Sequence, residues 1–158
     1  MMHSDFENWL CDTVDTVGWA VLSVAPRTDS NDPEEWFSYS IGLTKTFGWP
    51  EFICFGLTTE TRCHMINDAV EECRRKERAP EAGFRLSEVL NGYDTLLAEG
   101  SSIPDSYFGS AEWFARQSNI ELPIKRLQLL WPDADGYFPD DNRCAEGVRL
   151  EQTPLEKA

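Results

Sequence analysis

The sequence lacks the short motifs that mark familiar catalytic and cofactor sites. Its 158 residues include two histidines, His3 and His64. Neither belongs to a His-Glu-x-x-His pattern or lies beside a Gly-x-Ser-x-Gly nucleophile turn. The ten glycines form neither Gly-x-Gly-x-x-Gly nor Gly-x-x-x-x-Gly-Lys-Ser/Thr, the patterns that cradle phosphates. We therefore predict no catalytic residue and no cofactor, and an enzyme is the less favoured class.

Basic residues are also scarce. Lys and Arg number 14 against 28 Asp and Glu, which gives a formal net charge of −14. Such a charge repels phosphate backbones and anionic lipid and attracts basic proteins, although acidity also serves solubility alone. The balance predicts no direct nucleic-acid binding and no membrane binding, and it favours a basic protein partner.

Long apolar runs and paired cysteines are missing as well. No stretch of about 18 apolar residues occurs, and no basic N-terminal stretch precedes an apolar one. No Cys-x-x-Cys pair occurs, and an odd, widely spaced set of cysteines is typical of reduced thiols rather than of a disulfide framework or a zinc site. The cysteines are Cys11, Cys54, Cys63, Cys73 and Cys144. We expect a cytoplasmic protein without a metal site.

What the sequence does contain is a mixed set of helix and strand patterns. Ser4 and Glu7 form a capping box before a helical apolar stripe that ends at Gly18, Thr59 is the predicted cap of a second helix, and Pro104 opens a third. Six β-prone runs are predicted to be strands, at 19–25, 36–42, 51–57, 84–90, 93–98 and 127–131. Segment 42–50 is predicted to be a connecting loop, and Asn91-Gly92 a tight hairpin turn.

This order of elements lacks the regular alternation of a doubly wound fold. It predicts an α+β fold, with a largely antiparallel β-sheet of about five to six strands packed with about three helices. We expect one globular domain over residues 4–139 and an acidic C-terminal extension over 140–158.

Two stretches, the loop before Trp36 and the arc after Trp131, concentrate acidic residues beside aromatic ones. The arc lacks the ligand order of an EF-hand, because Cys144 stands where the closing Glu would be, and it is interpreted as a turn with solvated acids. Charge steering by both stretches would favour association with a basic partner. The predicted partner-binding residues are Asp29, Asp32, Glu34, Glu35, Trp36, Asp133, Asp135, Asp140 and Asp141.

Short motifs along residues 6–139 carry a family resemblance. They are Gly18-Trp19, FSYSIGL at 37–43, PEF at 50–52, SEVLNGYD at 87–94, YFGSAEWF at 107–114, LQLLWPD at 127–133 and GYFP at 136–139. Together they resemble the bacterial domain of unknown function 4262 family. The resemblance implies a single domain and transfers no catalytic residue. Asp140 stands where the family pattern leads us to expect a tryptophan.

Two functions follow as hypotheses. The first is a non-catalytic protein-binding module, an acidic inhibitor or immunity-type protein that neutralises a basic toxin or enzyme. The alternative is a small ligand-binding protein or enzyme with a pocket near Trp131 and Gly42, since a ligand could approach the backbone at the glycine or stack on a tryptophan. The ligand-binding residues predicted for it are Gly42, Trp49, Trp131 and Asp133. A homo-oligomeric subunit remains a third possibility.

Overall fold

The computed structural model describes residues 4–26 and 35–152. Six strands form one sheet in the order β1-β2-β3-β6-β5-β4, and all neighbours are antiparallel except β3 and β6, which are parallel. The strands are β1 Ala20–Val24, β2 Phe37–Ile41, β3 Glu51–Phe55, β4 Arg85–Leu90, β5 Tyr93–Glu99 and β6 Arg126–Leu130. The predicted α+β class, with a mostly antiparallel sheet, is confirmed.

Helices cover both faces of this sheet. The helices are α1 Asp5–Val17, α2 Leu43–Phe47, α3 Thr59–Arg75, α4 Gly109–Gln117 and α5 Glu146–Glu151, and a 3-10 turn, Asp105–Phe108, precedes α4. Alternate strand residues enter two apolar cores, since successive side chains of a strand point to opposite faces. Ile53 and Phe55 pack with α1 and α4, whereas Phe52 and Cys54 pack with α3.

Short sequence motifs predict the starts of two helices and one hairpin turn. Ser4 caps α1 in the predicted capping box with Glu7, and Gly18 ends the helix with a φ of 110°. Asn91-Gly92 forms the predicted hairpin turn between β4 and β5. The predicted cap of α3 is wrong by one residue: Thr58 has the extended backbone of a cap and accepts the N–H of Thr61, whereas Thr59 is already helical.

One segment differs from expectation, and the segment after residue 140 packs on the domain. Residues 42–50 contain the short helix α2 rather than only a loop, because glycines with positive φ at both ends allow one tight turn between β2 and β3. Residues 140–152 pack back on the domain, and the side chain of Gln152 is wholly buried and bonds the N–H and C=O of Trp131. None of the helices among the described residues has the length and apolarity to cross a lipid bilayer.

Candidate functional site

A cleft of about 510 Å³ opens between α2, α4 and the segment 120–125. Its walls are mostly apolar, with Trp49 and Phe114 as the aromatic members. Aliphatic side chains of Ile41, Ile120, Leu122 and Ile124 complete the walls. This volume is in the range of small-molecule sites, which are also predominantly apolar.

Glu51 is the buried ionisable residue of this cleft. It lines the cavity although only 4% of it is exposed. Its Oε1 accepts the hydroxyl of Ser40 at 2.7 Å and the N–H of Leu43 at 3.2 Å, and its Oε2 accepts the N–H of Thr44 at 3.1 Å. Burial raises the pKa of Glu51 from 4.5 to about 7, against the opposing effect of these hydrogen bonds. The carboxyl can therefore gain or lose a proton near neutral pH.

The chain builds this arrangement where β2 turns into α2 and returns as β3. Gly42 is the N-cap of α2 and has no side chain to accept the first helical N–H groups, so Glu51, the first residue of β3, accepts them. Gly42 has a φ of 106°, and a Cβ there would lie 2.8 Å from a methyl carbon of Val14. The glycine thus lets α1 approach closely, because Val14 occupies the space that a side chain at position 42 would take.

The chemistry of the cleft rests on the one buried carboxyl. Glu121 and Lys125 also line the cleft, and both are exposed. The lining contains neither a histidine nor a cysteine. In the described part of the chain, no three His, Cys, Asp or Glu side chains are grouped so that they could hold a metal ion. The arrangement can bind a ligand through one strong acceptor or proton donor.

The structure separates the four residues of the predicted pocket. Gly42 and Trp49 line the cleft, whereas Trp131 and Asp133 lie elsewhere and do not line it. Trp131 is 6% exposed, and its Nε1–H donates to the carbonyl of Phe55 at 2.8 Å. A Cβ on Gly56 would lie 2.8 Å from the Trp131 ring, so this tryptophan is sealed into the core. Of the two tryptophans, Trp49 lines this cleft and Trp131 does not.

The acidic arc after Trp131 is organised by Asp133. Its Oδ1 accepts the N–H groups of Asp135 and Tyr137, and its Oδ2 accepts that of Ala145. These backbone donors hold the pKa of Asp133 below its usual value. The expectation of solvated acids is wrong for Asp133, which is 6% exposed, because three backbone donors replace water around the carboxylate.

The other predicted partner-binding residues occupy different settings. Asp135 and Asp140 are exposed, as are Glu35 and Trp36 before β2. Asp141 binds the guanidinium of Arg143, which lowers the pKa of this carboxyl to about 2. Asp29, Asp32 and Glu34 lie outside the described residues.

Sequence reasoning missed Glu51 as a site residue. The available signal was one acid at the head of an otherwise apolar strand, between Pro50 and Phe52. Charged residues are rarely fully buried without a partner, so such a position merits attention. The missing information was tertiary, since the opposite wall of the cleft comes from residues 111–125.

Comparison with known proteins gives one match. A family model described as "Domain of unknown function (DUF4262)" matches residues 13–145, which is most of the chain. No curated protein and no solved structure matches. The matched segment contains Glu51 and every residue that lines the cleft, whereas the first two turns of α1 lie outside it.

Proposed function

This chain belongs to the DUF4262 family, and we propose that it binds a small ligand in the Glu51 cleft. The proposal rests on one observation: a buried carboxyl without a charged partner stands in the wall of a mostly apolar cavity. Ligand sites combine apolar walls with a few polar groups that fix orientation, and ionisable groups with shifted pKa values cluster at such sites.

A purely structural role for Glu51 explains less of this arrangement. Glu51 does accept the first N–H groups of α2, as a helix cap would. A Ser or Asn side chain performs that task without burying a charge. The use of a carboxyl, open to a cavity that would hold a ligand, favours a binding role in addition to the capping role.

The test is a binding screen on the folded protein with one variant that fills the cleft. Ile120 is half-buried at the cleft wall, so Ile120→Trp should occupy the space a ligand needs. Leu150→Trp is the matched control, because Leu150 is 53% exposed on α5, away from the cleft. Both variants should first show wild-type secondary structure by circular dichroism.

We expect apolar and aromatic fragments to shift the amide resonances of Gly42, Gly48 and Trp49 in the wild type and in Leu150→Trp. The same fragments should bind Ile120→Trp at least tenfold more weakly. A screen without binders, or shifts that map to another surface, would overturn the proposal.

A second function, binding of a basic protein, is favoured by the solvent face of α1. Residues 4–26 contain four acids, Asp5, Glu7, Asp12 and Asp15, and no Lys or Arg. Phe6 and Trp9 are 41% and 46% exposed on the same helix, with ring centroids 5.8 Å apart. Exposed aromatics among acids suit a partner that presents both basic and apolar side chains.

Glu35 and Trp36, directly before β2, are exposed as well. They lie at the end of the β1–β2 pair, where Val24 pairs with Phe37, and we include them in the proposed surface. We propose this surface as the place where an acidic inhibitor or immunity-type protein would neutralise a basic toxin or enzyme. The corresponding setting is the bacterial cytoplasm, which suits the five cysteines, all thiols in the structure.

The second function predicts a salt-sensitive complex. A triple variant, Asp5→Asn, Trp9→Ala and Asp12→Asn, should lose at least tenfold in affinity for a basic protein that the wild type captures from the source cell. Neutralising two exposed acids elsewhere, Asp68→Asn and Glu81→Gln, serves as the control. Equal affinity of both variants, or a complex indifferent to salt, would contradict this function.

A further inference from the structure

Glu51 has no cationic partner among the described residues. Each of the ion pairs found there joins other groups, and the hydrogen bonds that Glu51 accepts come from neutral donors. Two lysines lie nearby. Lys125 is exposed at the rim of the cleft, and Lys45 points its Nζ toward Asp15 at 3.8 Å and toward the Phe114 ring at 5.5 Å.

The acceptor capacity of Glu51 is also incompletely used. An ionised carboxylate accepts about four hydrogen bonds. In the described residues Oε1 receives two donors and Oε2 receives one. The Thr44 hydroxyl is near the carboxyl, but its hydrogen is donated to the carbonyl of Trp49 at 2.7 Å. The hydrogen bonds that Glu51 receives are therefore fewer than an ionised carboxylate can accept, and the residue lines the cavity.

The surroundings of the carboxyl favour a positive ligand. Trp49 lines the same cleft, and aromatic faces attract cations. The protein's charge of −14 raises the local concentration of small cations. The charged groups that share the lining, Glu121 and Lys125, are opposite in sign and exposed, so neither sign dominates the rim.

We propose that the ligand of the cleft is a small organic cation, a primary amine or guanidine on an apolar body, whose charged group pairs with Glu51. This inference rests on the proposed binding function of the cleft. The cation supplies a further donor to the carboxylate and the missing countercharge, while its apolar body covers the walls formed by Trp49, Phe114 and Ile120. A neutral ligand would supply at most the hydrogen bond.

Three matched probes separate charge from shape: 4-phenylbutylamine, 4-phenylbutanol and 4-phenylbutyrate. Their affinities for the 158-residue protein are measured by NMR titration at pH 7.5. We expect the amine to bind at least tenfold more tightly than the alcohol, and the carboxylate to bind most weakly. Glu51→Gln should reduce amine affinity at least tenfold with little effect on the alcohol. Asp68→Asn, an exposed acid on α3 on the opposite face of the sheet, should leave all three unchanged.

The wild type provides a second measurement that does not depend on the folding of Glu51→Gln. A cation binds the ionised form of Glu51, whose pKa is about 7 because of its burial. The amine stays charged at neutral pH, so its affinity should rise about tenfold from pH 6 to pH 8. Ser40 and Thr44 lie against the carboxyl and do not titrate in this range. The charged groups around it are Glu121 and Lys125 at the rim of the cleft and Arg126, which stands opposite Glu51 in the β3–β6 register and donates to Asp105. His64 lies on α3 across the sheet.

The outcomes distinguish the two proposals. If the alcohol or the carboxylate binds as tightly as the amine, or if amine affinity is flat from pH 6 to pH 8, the cationic class is wrong while ligand binding in the cleft stands. If none of the probes binds and the fragment screen is also empty, both are wrong.

Discussion

Two corners of the sheet each contain a buried glutamate, and they differ in how the charge is balanced. Glu72 on α3 accepts the N–H groups of Ser87 and Glu88 and also the ammonium of Lys76 at 2.7 Å. Glu51 accepts two backbone N–H groups and a hydroxyl, and no ammonium. Both carboxyls therefore tie a helix to a strand, but only the first has a countercharge.

The two carboxyls also differ in the volume of free space beside them. Glu72 borders a gap of about 20 Å³, too small for any ligand larger than water, whereas Glu51 borders the cleft of about 510 Å³. Glu72 has a countercharge and no adjoining cavity of ligand size, so its interactions are all made within the fold. Glu51 has no countercharge and borders a cavity, so a ligand could supply the missing interaction. This contrast is the physical basis of the proposed site.

Removing the carboxyl of Glu72 should have the largest effect on stability. Glu72→Ala leaves two strand N–H groups and Lys76 without their acceptor, so we expect the free energy of unfolding to fall by about 3 kcal/mol at pH 7. Urea unfolding followed by circular dichroism measures it. Glu71→Ala is the control, because Glu71 is half exposed and pairs with Arg74 on the surface, and it should cost less than about 1 kcal/mol. Equal losses would show that the Glu72 corner is not a structural tie.

The second largest effect should be a pH dependence of stability that comes from Glu51. Its folded pKa of about 7 exceeds the unfolded value of 4.5, so between these values the folded protein keeps a proton that the unfolded chain has lost. The free energy of unfolding should therefore fall as pH rises through this window, by about 2 kcal/mol from pH 5 to pH 8.

Glu51→Gln isolates this contribution. The wild type minus variant difference in unfolding free energy should shrink from pH 5 to pH 8, because Gln does not ionise. Carboxyls with lowered pKa values, such as Glu88 and Asp141, change stability in the opposite sense and cancel in the difference. A constant difference across this range would mean that Glu51 is ionised throughout.

A smaller effect is expected where α2 begins. Gly42→Ala places a methyl group 2.8 Å from Val14 at a φ of 106°, which should displace the N–H groups that Glu51 accepts. Gly48→Ala, at a φ of 75° with nothing within 4 Å of the new carbon, carries only the backbone strain. We expect about 1 kcal/mol for Gly48→Ala and about 1 kcal/mol more for Gly42→Ala. Thermal unfolding measures both losses. Identical losses would show that the close approach of α1 to Gly42 adds no cost to the substitution.

Much of the fold could be predicted because its signals are local. The Ser4 and Glu7 capping box and the Asn91-Gly92 turn each depend on fewer than five neighbouring residues. The α+β class followed from the order of periodic segments. The five residues of α2 are too few to show a helical period, so that segment was predicted to be a loop.

The site was less predictable because it is assembled from distant segments. Gly42 and Trp49 were identified from their motifs, and both line the cleft. Trp131 and Asp133 carried equally prominent motifs but are enclosed by residues 144–152, which pack on them only in the folded chain. Glu51 attracted no prediction, because its burial depends on α4 and on residues 120–125.

The smallest expected effect tests whether the countercharge is what separates the two corners. Lys76→Met leaves Glu72 with its two backbone donors and no ammonium, as at Glu51. The free energy of unfolding at pH 7 should then fall by less than about 1 kcal/mol, because the buried carboxylate keeps its backbone donors and loses only its countercharge. The loss should be smaller than that of Glu72→Ala, because position 76 is half exposed and water can replace the lost ammonium. Urea unfolding is the measurement, and Arg74→Met, which removes a neighbouring surface cation, is the control. A Lys76→Met stability equal to that of the wild type would mean that the backbone donors, rather than the ammonium, hold Glu72 in place.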